Sequence, residues 1–138
     1  MKIGKLSLLM VLSLVFLTSC NNDDDSTQPE TLNGIWNLSK VWGGLQGINI
    51  DYNQGEVKWD FNLNNNTLTV ENNLVTTGPE YIYAGLESGT YDIEIIQSGE
   101  TETLYIDNNE RGVLILTENN LKIDDGLAAD GFIRELKR

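Results

Sequence analysis

The chain has 138 residues, one cysteine and no histidine, which is room for one domain of modest size and leaves no partner for a disulfide. Without His, and with a single Cys, the sequence excludes Ser-His-Asp and Cys-His nucleophilic sites and zinc sites built on those ligands. Nine basic residues against 21 acidic ones give a net charge of −12, a balance that repels nucleic-acid phosphates and anionic lipid headgroups.

Lys2 and Lys5 stand before an apolar run over residues 6–17. The run is short of the roughly 20 residues a spanning helix needs, so it predicts a cleaved signal peptide. It ends in Leu17-Thr18-Ser19-Cys20, which resembles the lipobox of bacterial lipoproteins: Leu three places before the Cys, with two small residues between. The resemblance implies cleavage before Cys20, a diacylglycerol on its thiol and an acylated amino terminus. Residues 1–19 are then the signal peptide, and the chain is expected at the outer membrane of a Gram-negative envelope, held by lipid on Cys20. Each buried methylene adds about 0.8 kcal/mol, so two or three chains make such an anchor effectively permanent. Loss of Lys2 and Lys5 leaves seven basic and 21 acidic residues, a mature net charge of −14.

Residues 21–31 carry no aromatic or aliphatic side chain, so with Cys20 they are expected to form a disordered acidic tether. Fully extended, these eleven residues reach roughly 35 Å. Asp23-Asp24-Asp25 directly after the Cys resembles a surface-export signal of some Gram-negative lipoproteins, which implies cell-surface exposure; a solvated linker is the alternative. Asp25-Ser26-Thr27 resembles a short O-glycosylation acceptor of such bacteria.

From Leu32 onward the apolar residues recur with period two, the period of strands. Leu32, Gly34, Trp36, Leu38 and Trp42 are assigned to one face of the first strand. Val57, Trp59, Phe61 and Leu63 alternate with polar residues, and Asn64-Asn65-Asn66 predicts a turn before Leu68 and Val70, because Asn tolerates left-handed backbone. Tyr91, Ile93 and Ile95 lead to a turn at Ser98-Gly99, and Leu104 and Ile106 to one at Asn108-Asn109. Residues 113–117 are apolar on both faces, which predicts a second contact beyond the core. Leu121 and Ile123 follow a turn at residues 118–120, and residues 132–137 form the last strand. Eight short strands with no convincing helix predict an all-β, antiparallel, eight-stranded up-and-down barrel, with a β-sandwich as the alternative. Eight strands enclose an interior that side chains fill or that holds one small ligand.

Gly34-Ile35-Trp36 resembles the Gly-x-Trp signature of lipocalins and lipocalin-like bacterial lipoproteins, and the likeness spans residues 32–138. It implies that Trp36 packs across the barrel base beneath an Arg from near the chain end. Arg134 is the candidate, on a strand face with Phe132 and Leu136. It also implies a small apolar or amphipathic ligand, although the helix that flanks larger lipocalins is missing.

A carboxylate pair suited to glycoside hydrolysis cannot be singled out, so no catalytic residue and no cofactor are assigned. The spacing Asp107-x-Asn109-x-Arg111-Gly112 with Glu118 approaches a calcium loop, but Arg111 falls on a ligand position and the flanks read as strands. A hairpin turn is preferred, and no metal is assigned.

Two stretches exceed hairpin length, residues 43–55 and 75–89, and such loops are usually functional or disordered. The second holds Tyr81, Ile82, Tyr83 and Leu86, which suit a lid, a partner surface, an extra strand or a cover for one barrel end. Trp42, Trp59, Tyr81, Tyr83 and Tyr91 are therefore the candidate ligand residues. Two functions fit: a binding module for a small apolar ligand, or an interaction protein docking a basic protein partner. A cavity lined by Trp36, Trp59 and Tyr91 favours the first. A filled interior with Tyr81 and Tyr83 projecting outward favours the second.

Overall fold

The structure, a computed structural model, describes residues 31–138. The expected signal peptide, Cys20 and the tether up to residue 30 lie outside the described residues.

Val57-Lys58-Trp59-Asp60-Phe61 shows how sequence becomes wall: Val57, Trp59 and Phe61 are buried while Asp60 is exposed, as a pleated strand demands. Repeated along the chain, this alternation yields nine strands: β1 (Gly34–Gly43), β2 (Ile48–Asp51), β3 (Val57–Asn62), β4 (Thr67–Asn72), β5 (Gly89–Ser98), β6 (Thr101–Ile106), β7 (Asn109–Thr117), β8 (Asn120–Asp124) and β9 (Phe132–Lys137). Each pairs antiparallel with its neighbour from β3 through β9, and β9 returns to β1. Eight strands thus close into the expected barrel, and the sandwich is overturned by that single closing pair. The short extra strand β2 pairs with residues 40–43 of β1, on the side β3 occupies along residues 34–37. It lies within the stretch read as a long loop.

Closure leaves no unpaired edge along most of the sheet. Inside, Trp36, Leu38, Val41, Trp59, Phe61, Leu68, Leu104, Ile106, Leu121, Ile123 and Leu136 are essentially inaccessible, and together they fill the barrel. Outside, Lys40 with Asp51, Lys58 with Glu71, and Lys122 with Glu135 form ion pairs between directly opposed residues of adjacent strands.

Three expectations are corrected. Trp42 is not on the inner face: the β1–β9 register shifts between Leu38 and Lys40, and this bulge reverses the parity beyond it. Val41 turns inward and is fully buried, and Trp42 turns outward. The turn between β6 and β7 falls at Asp107-Asn108, where both residues have positive φ (49° and 61°), one place earlier than read. Finally, residues 75–89 contain a helix, α1 (Pro79–Ala84), opened by Pro79 and ended by Gly85. At six residues it is too short for its periodicity to register, and packing rather than propensity holds it.

Strand direction divides the loops between two barrel ends. Asn33, the turns at residues 63–66, 99–100 and 118–119, and Arg138 lie at one end. At the other lie α1, the long β8–β9 connection with its short 3-10 turn Leu127–Ala129, and the segments around β2.

Candidate functional site

At the short-turn end, Trp36 is fully buried and donates its indole N–H to the carbonyl of Leu32 at 2.8 Å. Gly34 pairs with Phe61 and Trp36 with Trp59 across β1 and β3. A guanidinium does cover Trp36, but it belongs to Arg138, 4.2 Å from the ring centroid. Arg138 also donates to the carbonyls of Thr31 and Asn33. Arg134, the sequence candidate, is on the right face and the wrong rung. Leu38 pairs with Leu136 and Val41 with Arg134, so alternation brings Arg138, not Arg134, level with Trp36.

Arg134 instead sits at the opposite end, beneath the plug that α1 and its exit residues Gly85 and Leu86 form there. Its Nη1 donates to Asp125 Oδ2 at 2.9 Å, and Asp125 Oδ1 accepts from the backbone N–H of Phe132. A Cβ added to Gly85 would stand 3.0 Å from Arg134 Nε, and Gly85 has φ 91°. Only glycine combines that backbone with that closeness, so Gly85 both ends α1 and makes room for the guanidinium. Ala84 and Leu86, on either side, are buried in the core.

The helix is tied down further by Tyr52, whose hydroxyl donates to the carbonyl of Glu80 at 2.8 Å. Burial pushes the Tyr52 phenol up to about 12, against an opposing pull from Arg134 and with help from Glu80 and Glu56. Tyr83 packs on Phe132 with ring centroids 5.3 Å apart. Tyr81 reaches Glu87 at 3.4 Å, and the Tyr91 hydroxyl donates to the Glu87 carbonyl at 2.9 Å. Three of the candidate residues, Tyr81, Tyr83 and Tyr91, are thus gathered around α1 and its exit. The structure does not bring them together with Trp42.

Under the plug lies a cavity of about 10 Å³ lined by Trp59, Gly85, Leu86, Arg111, Ile123 and Arg134. Trp59 Nε1 and Arg111 Nε are buried without a hydrogen-bond partner among the described residues. A buried donor in that state costs about 1–3 kcal/mol. Sequence reading missed Arg111 as a site residue. Its signal was Gly112: a glycine inside a strand pattern marks a bulge, and the β6–β7 register does shift there.

Trp42 belongs to the outer wall. Its indole donates to Glu135 Oε1 at 3.0 Å, and Lys122 reaches the same oxygen at 3.2 Å. Burial works to raise the Glu135 pKa, but the Trp42 and Lys122 hydrogen bonds and the charges of Lys122 and Lys137 outweigh it. The carboxyl is held below its usual range. An open groove of about 620 Å³ runs beside it, lined by Lys40, Trp42, Ile48, Leu127 and Glu135 among others.

Compared with protein-family models, curated proteins and solved structures, the chain matches none.

Proposed function

We propose that this chain is a lipid-anchored envelope protein that acts through its outer wall, as an interaction or inhibitor module for a basic protein partner. The filled interior carries this reading. Side chains occupy the barrel and leave a cavity of about 10 Å³, far below the roughly 300–1,000 Å³ of small-molecule sites. Residues 31–138 hold seven basic and 17 acidic residues, a net charge of −10. Three of the four lysines in that span are neutralised by cross-strand carboxylates, which leaves the unbalanced surface charge acidic. Such a field speeds the encounter with a basic protein.

The wall formed by β5, β6 and β7 supplies an apolar centre for the contact. Ile96 pairs with Thr103 and Thr103 with Val113, forming one row across three strands. Ile96 and Ile115 are 43% and 48% exposed. In the next row Glu94 opposes Tyr105, whose hydroxyl donates to Glu110 at 3.1 Å. An apolar patch rimmed by carboxylates is complementary to an apolar patch rimmed by Lys and Arg. It also gives a use to the outward side chains of residues 113–117.

Native mass spectrometry of the full chain, released from its own envelope in mild detergent, tests this reading. A stoichiometric basic protein, released by salt and absent from an Ile115→Glu variant, is the expected result. A stoichiometric small organic molecule, or a chain that carries nothing, overturns it. The second reading, a small apolar ligand, is favoured only by the open groove beside Trp42, and Trp42→Ala would release such a ligand.

A further inference from the structure

We infer that the cavity beneath α1 is a binding site for a small, monovalent anion, for which chloride and bromide are the probes. The residues come from separate parts of the fold: Trp59 from β3, Arg111 from β7, Ile123 from β8, Arg134 from β9, and Gly85 and Leu86 from the α1–β5 connection. Arg111 owes its place to backbone geometry. Leu104 pairs with Gly112 and Tyr105 with Glu110, so Arg111 is the unmatched residue of a bulge, a device that re-aims a side chain. Gly112, at φ 133°, lies so close to the backbone of Asp124 that no Cβ fits there.

The donor set selects an anion over water. Trp59 Nε1 and Arg111 Nε are both donors, both buried and both without a partner among the described residues. None of the six lining residues has a side chain that can accept a hydrogen bond. Arg134 shares its charge with Asp125 at 2.9 Å, whereas Arg111 has no ion-pair partner among the described residues. A water molecule could accept from both donors, but no lining side chain would accept its own hydrogens. An anion accepts from both, has no hydrogens to place and balances Arg111. Size narrows the class: the centre of a water-sized sphere has only about 10 Å³ to move in, room for a single small ion such as chloride. The bound ion would fasten the plug to the barrel wall, so its effect falls on stability.

The full chain, purified in non-ionic detergent, is melted in sodium chloride, sodium bromide and sodium gluconate at matched ionic strength. The two halides are expected to raise the melting temperature by about 3 °C or more over gluconate. Arg111→Met should abolish that difference, and Trp59→Phe, which keeps an aromatic ring and removes the donor, should shrink it. Crystals soaked in bromide should show an anomalous peak between Trp59 and Arg111. Equal melting in all three salts, an undiminished halide effect in Trp59→Phe, or no bromide peak each overturns the inference. If Arg111→Met does not fold, Trp59→Phe and the bromide peak still decide it.

Discussion

At one end of the barrel Trp36 lies under Arg138, and the strands are joined by turns of two to four residues. At the other, sixteen residues separate β4 from β5 and seven separate β8 from β9, and α1 is held over two arginines and a tryptophan. Both ends use a cation and an indole, yet they are satisfied differently. At the short-turn end every indole and guanidinium contact is made within the chain: Trp36 to Leu32, Arg138 to Thr31 and Asn33. Beneath the plug, Trp59 and Arg111 are left with donors to spare. The closed set of contacts marks structure, and the open set is what the proposed anion site rests on.

The comparison can be broken first at Trp36. Trp36→Ala should destabilise the chain by about 3–5 kcal/mol, as buried aromatic truncations do, read as a lowered midpoint in urea at unchanged slope. A loss under 1 kcal/mol would mean the short-turn end is not structural. Gly85→Ala should come next, at about 1–3 kcal/mol, since it forces a side chain into left-handed backbone and against Arg134. It should also speed hydrogen exchange of the α1 amides while leaving those of β1 protected. Uniform loosening would show that the two ends are not separable. Smallest is the Arg138–Trp36 coupling. Arg138 is exposed, so a double-mutant cycle of Arg138→Ala with Trp36→Phe should return about 0.5–1 kcal/mol. The same cycle with Arg134→Ala should be additive, because Arg134 sits higher in the barrel.

What the sequence made legible follows from period. Two-residue alternation is local, so the barrel wall, its inward residues and most of its hairpins could be read from residues such as Val57, Trp59 and Phe61. Register is not local. Nothing within residues 132–138 says which rung meets Trp36, and so the strand pattern alone points to Arg134 when the partner is Arg138. Parity fails wherever a bulge intervenes. One extra residue near Ser39 moved Trp42 to the outer wall, and another at Arg111 carried a cation to the interior cavity. A six-residue helix carries too few turns to show a period, so α1 was visible only as misplaced aromatics. The cavity itself arises from five separated segments, a coincidence that no single stretch of sequence displays.

The clasp of Arg138 on Thr31 and Asn33 has a mechanical consequence. Thr31 and Asn33 lie beside Arg138, so a pull on residue 31 enters β1 along its own axis. β1 is flanked there by β3 and β9, and an axial pull loads those hydrogen bonds in parallel, as shear, rather than one at a time, as a zipper. The carbonyls held by Arg138 and by the Trp36 indole take the strain before the strand does. A pull between residue 31 and the β5–β7 wall should therefore leave the plugged end closed.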